Sequence, residues 1–171
     1  VQDIELQTGD GHIVSITDRA NKQLLAETGA LLEAESLIYQ NGTEVQEEVV
    51  MHTLSTPRGK NFKLVLEDGT EVWLNANTNF VYPTAFIGNE RIVSLEGEAY
   101  FKVAKDAKRP FIVKTRTVQT RVLGTEFNIR SYTPEDTHVV LINGKVEVSN
   151  TQGGAFTRLY PGAVSYTHLT L

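Results

Sequence analysis

The sequence predicts an all-β protein, an antiparallel sandwich of two sheets with little helix. Apolar residues recur at every second position through much of residues 56–160, which is the period of strands with one buried face. Turn residues arrive roughly every ten residues, a spacing typical of antiparallel sandwiches and barrels. Long amphipathic helices, which βαβ units need between their strands, are absent from the sequence, so a parallel α/β fold is disfavoured.

Residues 1–54 are expected to form an irregular β lead-in, packed on or leading into the main domain. Gly9-Asp10-Gly11 predicts a turn between two short strands, of which the second covers residues 12–16. Residues 24–38 combine a helix-forming composition with a strand-like end at Ser36–Tyr39, so short strands with one helical turn are predicted. Asn41-Gly42-Thr43 matches a glycosylation sequon, but Asn-Gly is better explained as a turn.

The main domain is predicted to cover residues 55–164, with residues 165–171 as a tail outside it. Asp68-Gly69 and Asn143-Gly144 each separate two apolar strands, and such dipeptides are the strongest local signal for a β-hairpin. The strands between these turns carry the even-spaced apolar sets Phe62/Leu64/Leu66, Val93/Leu95, Ala99/Phe101/Val103, Phe111/Val113, Val118/Val122 and Val146/Val148.

Composition excludes several classes of function. The formal net charge of −5, with Lys and Arg scattered, argues against a nucleic-acid partner. The chain has no cysteine, which rules out disulfides, thiolate metal sites and a cysteine nucleophile. No apolar run reaches the ~18 residues that a membrane-spanning helix needs, so any membrane anchor is expected to lie outside this chain.

Few residues have the spacing of catalytic or metal-binding groups. The four histidines lack metal-ligand spacing, and we expect no metal and no cofactor. Glu96 and Glu98 flank Gly97 and share one strand face, so they form a candidate glycosidase pair. A β-bulge at Gly97 with two solvated carboxylates is the favoured interpretation, and the sequence predicts that the protein is not an enzyme.

Aromatic residues on the strands offer a second candidate site. Four aromatic residues are candidates for a face that stacks on glycans, namely Trp73, Tyr82, Phe86 and Tyr100, and the first, second and fourth are also candidates for a partner contact. Aromatic residues on strands more often pack in the core, and that alternative is favoured here.

The order of features over residues 56–162 resembles the FecR family. The matching segments are Thr56–Gly59, Leu66–Ala76, Arg91–Val103, Arg109–Val113, Val122–Ile129, Gly144–Val148, and Leu159 with Pro161-Gly162. The resemblance implies a jelly-roll-like β-sandwich without catalytic residues. The positions carried over are therefore fold positions: Gly59, Asp68, Gly69, Leu74, Asn75, Gly97, Glu98, Phe101, Phe111, Gly124, Thr125, Phe127 and Gly144.

For two groups of these positions, physical chemistry explains why this residue type is needed. Gly97 and Gly124 suit bulges or close approaches of the backbone. Phe101, Phe111 and Phe127 are natural anchors of a core.

The resemblance also implies a place in signal transduction and transcription regulation. FecR proteins are single-pass regulators of the inner membrane, and this chain corresponds to the sensory domain on the periplasmic side. The implied partner is the N-terminal signalling domain of a TonB-dependent outer-membrane receptor. An extracytoplasmic-function sigma factor would be contacted only through a cytoplasmic anti-sigma segment outside this chain. The alternative function is a carbohydrate-binding jelly-roll module.

Overall fold

Sixteen strands, and no helix, make up the part of the chain that the structure describes. The structure is a computed structural model, and it describes residues 3–18, 29–33, 36–40, 48–151, 157–162 and 164–167. The first eight strands are β1 (Glu5–Gln7), β2 (Ile13–Ser15), β3 (Ala30–Glu33), β4 (Ser36–Tyr39), β5 (Met51–Thr56), β6 (Phe62–Val65), β7 (Glu71–Leu74) and β8 (Thr78–Pro83). The others are β9 (Arg91–Lys102), β10 (Phe111–Lys114), β11 (Val118–Val122), β12 (Glu126–Thr133), β13 (Asp136–Asn143), β14 (Val146–Asn150), β15 (Thr157–Leu159) and β16 (Val164–Thr167).

The strands form two sheets that share the long strand β9. The first sheet has the order β2-β1-β5-β8-β9-β10-β11-β14-β15. The second sheet has the order β3-β4-β6-β7-β9-β12-β13-β16. Every pair is antiparallel except β9–β10 and β4–β6. The predicted all-β, sandwich-like class is confirmed, and jelly-roll connectivity stays a prediction.

The strand β9 passes from the first sheet to the second at Gly97. Residues 91–96 pair with β8 and β10, whereas residues 97–102 pair with β7 and β12. Inward and outward side chains alternate without interruption along the whole strand, and no register shift occurs at Gly97. The expected bulge is therefore wrong, and the strand bends there instead.

The residue at this bend has to be glycine for two reasons. Gly97 has a φ of +124°, in a region that side chains rarely adopt. A Cβ atom would also lie 2.8 Å from the Cα atom of Thr78. Thr78 occupies this space, and its hydroxyl accepts a hydrogen bond of 3.1 Å from the Glu98 backbone N–H. This hydrogen bond stabilises the bend.

The core lies between the two sheets and is built on phenylalanines. Phe101 of the second sheet stacks on Phe127 with ring centroids 5.0 Å apart. It also contacts Phe80 and Phe111 of the first sheet at 5.8 and 6.2 Å. The lead-in shares this core, because its buried residues Leu6, Leu37 and Leu54 belong to the same cluster.

The lead-in strands also extend both sheets. Strands β1, β2 and β5 join the first sheet, and the hairpin β3–β4 joins the second. Residues 164–167, which lie mostly in the expected tail, form the edge strand β16 beside β13. Residues 24–28 and 41–43, and with them the possible helical turn and the sequon, lie outside the described residues.

The two predicted hairpin turns behave differently. Asp68-Gly69 does join the antiparallel pair β6–β7, and Gly69 has a φ of +88° after a hydrogen-bonded turn from Leu66. This is a three-residue hairpin loop that ends in a left-handed glycine. The hairpin at Asn143-Gly144 is wrong, because β13 and β14 lie in different sheets and do not pair. Gly144, at a φ of +93°, instead turns the chain from one sheet to the other.

A buried arginine ties three loops together near the Asp68 turn. Arg91 is 0% exposed, and its guanidinium lies 2.7 Å from the Asp68 carboxylate. Its remaining N–H groups donate to the carbonyl oxygens of Ala104, Arg109 and Leu123 at 2.8, 2.8 and 3.4 Å. The guanidinium also lies 5.4 Å from the Phe111 ring centroid. Full pairing of this kind is what a charge needs when water is excluded.

One buried polar atom in the described part of the chain has no such partner. Thr120 Oγ1 in β11 is buried and makes no hydrogen bond. Thr120→Val removes this hydroxyl at nearly constant shape, so we expect the free energy of unfolding to rise by about 1 kcal/mol. Urea denaturation checks this result. Thr137→Val is the matched control, since it removes a buried hydroxyl 2.8 Å from Ser131 Oγ and is expected to destabilise the protein. A loss of stability in Thr120→Val would contradict the prediction.

Candidate functional site

A row of polar and aromatic side chains crosses the outer face of the second sheet. The strand registers place Lys63 opposite Trp73, Trp73 opposite Tyr100, and Tyr100 opposite Asn128. Because one face of a strand carries every second residue, these four side chains all point away from the core. They line an open cleft of about 500 Å³, together with Ser36, Asn61, Phe62, Leu74, Asn75 and Glu98.

The aromatic part of the cleft is a pair of half-buried rings. Trp73 and Tyr100 contact edge to face, with ring centroids 5.4 Å apart and planes at 63°. The Lys63 ammonium lies 5.1 Å from the Trp73 ring centroid and 2.9 Å from the Glu71 carboxylate. The alternation of β7 and β9 is what brings Trp73 and Tyr100 together, as the sequence hypothesis for this face requires.

The polar part of the cleft is held by hydrogen bonds around Glu98. Its two carboxylate oxygens accept from the side-chain amides of Asn75 at 2.6 Å and Asn128 at 3.2 Å. Tyr100 donates its hydroxyl to Glu126 at 2.7 Å, and this hydrogen bond raises the pKa of Tyr100 to about 12. These hydrogen bonds link Glu98 to Asn75 and Asn128, and Tyr100 to Glu126.

Tyr82 does not belong to this face, which corrects the sequence hypothesis. It is 0% exposed in β8 of the first sheet, because it is an inward residue of an alternating strand. Its hydroxyl lies 2.7 Å from the hydroxyl of Tyr39, and that hydroxyl lies 2.7 Å from His52 Nδ1. Burial raises the pKa of both tyrosines and lowers the pKa of His52. Phe86 is also buried, with its ring against Phe111. The glycan or partner face thus reduces to Trp73 and Tyr100.

The buried His52 predicts acid sensitivity. The unfolded chain binds a proton at the ordinary histidine pKa near 6.5, whereas the folded chain binds it only at lower pH. As the pH falls through this window the unfolded state gains the proton first, so stability present above pH ~6.5 is lost below it. We expect the urea midpoint to fall between pH 7 and 5.5, and to fall less in His52→Gln. His12→Gln, which changes an exposed histidine, should keep the full slope; an equal slope in His52→Gln would contradict the assignment.

The candidate glycosidase pair is not brought into one site. Glu98 lines the cleft on the second sheet, where two amides hold it. Glu96 lies on the other side of the Gly97 bend, in the first sheet, and its carboxylate is 3.6 Å from Arg116. Each carboxylate therefore has its own partners and faces a different depression.

The other sequence-predicted positions lie where the backbone changes direction or packs closely. Gly124 faces Lys105, whose Cα atom would lie 2.9 Å from an added Cβ. Thr125 donates its hydroxyl to the Lys145 carbonyl at 3.0 Å. Gly59 adopts a φ of +75° in the turn after β5. Leu74, Phe101, Phe111 and Phe127 are fully buried.

Two further properties concern only the residues that the structure describes. Among them there is no cluster of three or more His, Asp or Glu side chains that is arranged to hold a metal ion. Nor does this part of the chain contain a helix that is long and apolar enough to cross a membrane.

Sequence reasoning missed three of the residues that matter most. Lys63 and Asn128 have no recognisable motif, and only the sheet register places them beside Trp73 and Tyr100. Arg91 could have been recognised from the sequence, because it occupies an inward position in the same alternation as Val93 and Leu95. A charge at such a position predicts a buried partner, which is Asp68.

Comparison with known proteins identifies the family. The model of the FecR protein family matches residues 52–147. Two crystal structures from Parabacteroides distasonis, each provisionally named as that of an anti-sigma factor, are similar to this chain. They have 36% and 37% sequence identity and TM-scores of 0.62 and 0.61, over 69% and 68% of this chain.

No curated protein matches at a significant level. The chain spans about three fifths of the length of the two structures, 60% and 59%. Since the family model covers more than half of the sequence, the chain belongs to the FecR family.

Proposed function

We propose that this chain is the sensory domain of an anti-sigma regulator. The observation that carries the proposal is the FecR match over residues 52–147. The similarity to two structures provisionally named anti-sigma factors supports it. A sensory domain needs a stable scaffold and an accessible face rather than catalytic groups, and the sandwich with its outward cleft fits that need.

The finer part of the proposal concerns the signalling route. The domain lies on the periplasmic side of the inner membrane, as part of a single-pass protein whose anchor and cytoplasmic segment are outside this chain. It receives its signal from the N-terminal signalling domain of a TonB-dependent receptor. The cytoplasmic segment then releases or activates an extracytoplasmic-function sigma factor. Family membership is the support for this route, and the protein acts by binding, without catalysis.

The first experiment tests the regulatory role in the cell. A reporter gene under the sigma-dependent promoter is measured with the intact regulator and with a regulator lacking residues 55–164. We expect the reporter to respond to the inducer only with the intact protein, since the sensory part has been removed from the other. Deletion of the whole regulator gene is the control. It removes the sigma-binding segment as well, so comparison with the truncated regulator separates loss of sensing from loss of that segment. An unchanged inducer response without residues 55–164 would refute the sensory role.

The second experiment tests the partner. The purified 171-residue chain, and the complete periplasmic region that contains it, are titrated with the signalling domain of the receptor encoded beside it. Saturable binding is expected for the complete region. Arg116→Ala, in the loop between β10 and β11 of the first sheet, is a variant that should bind equally well unless that loop belongs to the contact surface. Absence of binding by the complete region would refute the receptor as partner.

A further inference from the structure

We propose that the cleft around Trp73 and Tyr100 binds a ring of a neutral sugar. This inference goes beyond the signalling role and does not rest on it, because the cleft would bind the same ligand in any regulator or binding module. It is carried by three observations: a half-buried aromatic pair on the outer sheet face, polar groups fixed beside it, and a lysine that is already paired with a carboxylate.

The aromatic pair provides the apolar surface that a sugar ring needs. One face of a pyranose carries mainly C–H groups, and such a surface gains free energy when it covers an aromatic ring. Trp73 and Tyr100 are both half-buried on an outer sheet face, so neither ring is required for the core between the sheets. Their edge-to-face contact also holds both rings in place, which lowers the entropy lost on binding.

The polar groups match the hydroxyls at the rim of such a ring. Ionised Glu98 has about four lone-pair sites, and the two amides use only two of them. Each of the two amides also has a second N–H that can donate to a ligand. These three side chains line the same cleft as the rings, so a bound sugar can stack and form hydrogen bonds at once. Hydrogen bonds among Glu98, Asn75 and Asn128 fix their positions in advance.

The charges in the cleft select a neutral ligand. Among the described residues that line the cleft, Lys63 is the only cation, and Glu71 neutralises it at 2.9 Å. An acidic ligand would therefore meet the negative charge of Glu98 inside the cleft, since Arg130, which lies opposite Glu98 in the register of β9 and β12, is exposed and does not line the cleft. A cationic ligand would meet the Lys63 ammonium, which already lies over the Trp73 ring. A neutral sugar avoids both repulsions, and it can displace the lysine from the ring because an exposed cation–π contact is worth only about 0.5–1 kcal/mol.

The cleft also has a suitable size and access. A volume of about 500 Å³ lies within the range of small-molecule sites, and the cleft opens to solvent along the sheet face. A sugar unit inside a longer chain can enter such an open site from the side, which a closed pocket would prevent.

The test uses the fluorescence of Trp73, which is the only tryptophan in the chain. The 171-residue protein is titrated with five neutral hexasaccharides, namely the malto-, cello-, xylo-, manno- and laminari-series, and with hexagalacturonate as the acidic comparison. We expect a saturable change with at least one neutral sugar and weaker binding of hexagalacturonate. Isothermal titration calorimetry on the same samples detects binding that leaves the fluorescence unchanged.

Substitutions in the cleft then test whether the sugar binds there. Tyr100→Ala and Asn128→Ala are each expected to weaken binding about tenfold or more, since a lost aromatic or polar contact of this kind is worth about 1.5 kcal/mol. Tyr100→Phe keeps the ring and loses only the hydroxyl bonded to Glu126, so it should bind nearly as the original protein does. Arg116→Ala, in the loop that joins β10 and β11 of the first sheet, should also bind normally. A urea denaturation curve for each variant excludes loss of folding as the cause.

Three results would overturn the inference. The first is the absence of binding to all five neutral sugars by both methods. The second is binding that survives Tyr100→Ala and Asn128→Ala, which would place the sugar elsewhere. The third is tighter binding of hexagalacturonate than of every neutral sugar. None of these results bears on the receptor titration, so failure of this inference and failure of the signalling role can be told apart.

Discussion

Asp68→Ala is expected to lower the free energy of unfolding by about 3–5 kcal/mol, the typical cost of leaving a buried charge without its partner. The Arg91 guanidinium is 0% exposed and would keep only its three carbonyl acceptors after the change. The same substitution also removes both hydrogen bonds from Thr70 to the Asp68 carboxylate in the hairpin loop. Urea denaturation at pH 7 measures the loss.

Two further variants separate charge burial from other effects of the substitution. Asp106→Ala breaks an ion pair with Arg109 that is only half-buried, so its effect should be a small fraction of that of Asp68→Ala. The double variant Asp68→Leu with Arg91→Met removes both charges, and we expect it to regain part of the lost stability. If Asp68→Ala and Asp106→Ala lowered the free energy of unfolding equally, burial of the Asp68–Arg91 pair would not account for the effect of Asp68→Ala.

Gly97→Ala is the second change with a large expected effect, a loss of about 3–5 kcal/mol in the free energy of unfolding. A side chain at a φ of +124° costs about 1–3 kcal/mol in backbone strain. The added Cβ would lie 2.8 Å from the Cα atom of Thr78, and such overpacking costs a further 1–3 kcal/mol or so. Because the backbone of Thr78 cannot move away as a flexible side chain can, we expect both costs to lower the free energy of unfolding.

Gly88→Ala is the matched control for this prediction. Gly88 also has a positive φ, of +96°, but nothing lies within 4 Å of an added Cβ. The difference between the two variants therefore measures the close approach of Thr78, apart from backbone strain. Equal losses in Gly88→Ala and Gly97→Ala would mean that the bend in β9 tolerates a side chain.

The bend at Gly97 connects the fold to the candidate site. It carries β9 from the first sheet into the second, and the residues directly after it, Glu98 and Tyr100, line the cleft. Thr78 fixes the bend through its hydrogen bond with the Glu98 N–H. A residual folded population of Gly97→Ala is thus expected to lose sugar binding as well, whereas Gly88→Ala should keep it.

The fold class and most of the strands could be predicted from the amino-acid sequence, because alternation and turn chemistry are local properties. The period of two in β9 places Val93, Leu95 and Phe101 inside, whichever strands lie beside it. In the same way, Asp68-Gly69 makes a tight turn wherever its hairpin is placed. The family followed from the order of such local features along the chain.

The pairing of the strands and the residues on each outward face could not be predicted in this way, and they follow from the three-dimensional structure. Asn143-Gly144 reads locally as a hairpin turn, but the strands that flank it belong to different sheets. Trp73, Tyr82 and Tyr100 look alike in sequence, yet two face outward together and the third is buried with Tyr39 and His52. The physical reason is that pairing register and sheet membership depend on contacts between residues far apart in the chain, which alternation along one strand does not specify.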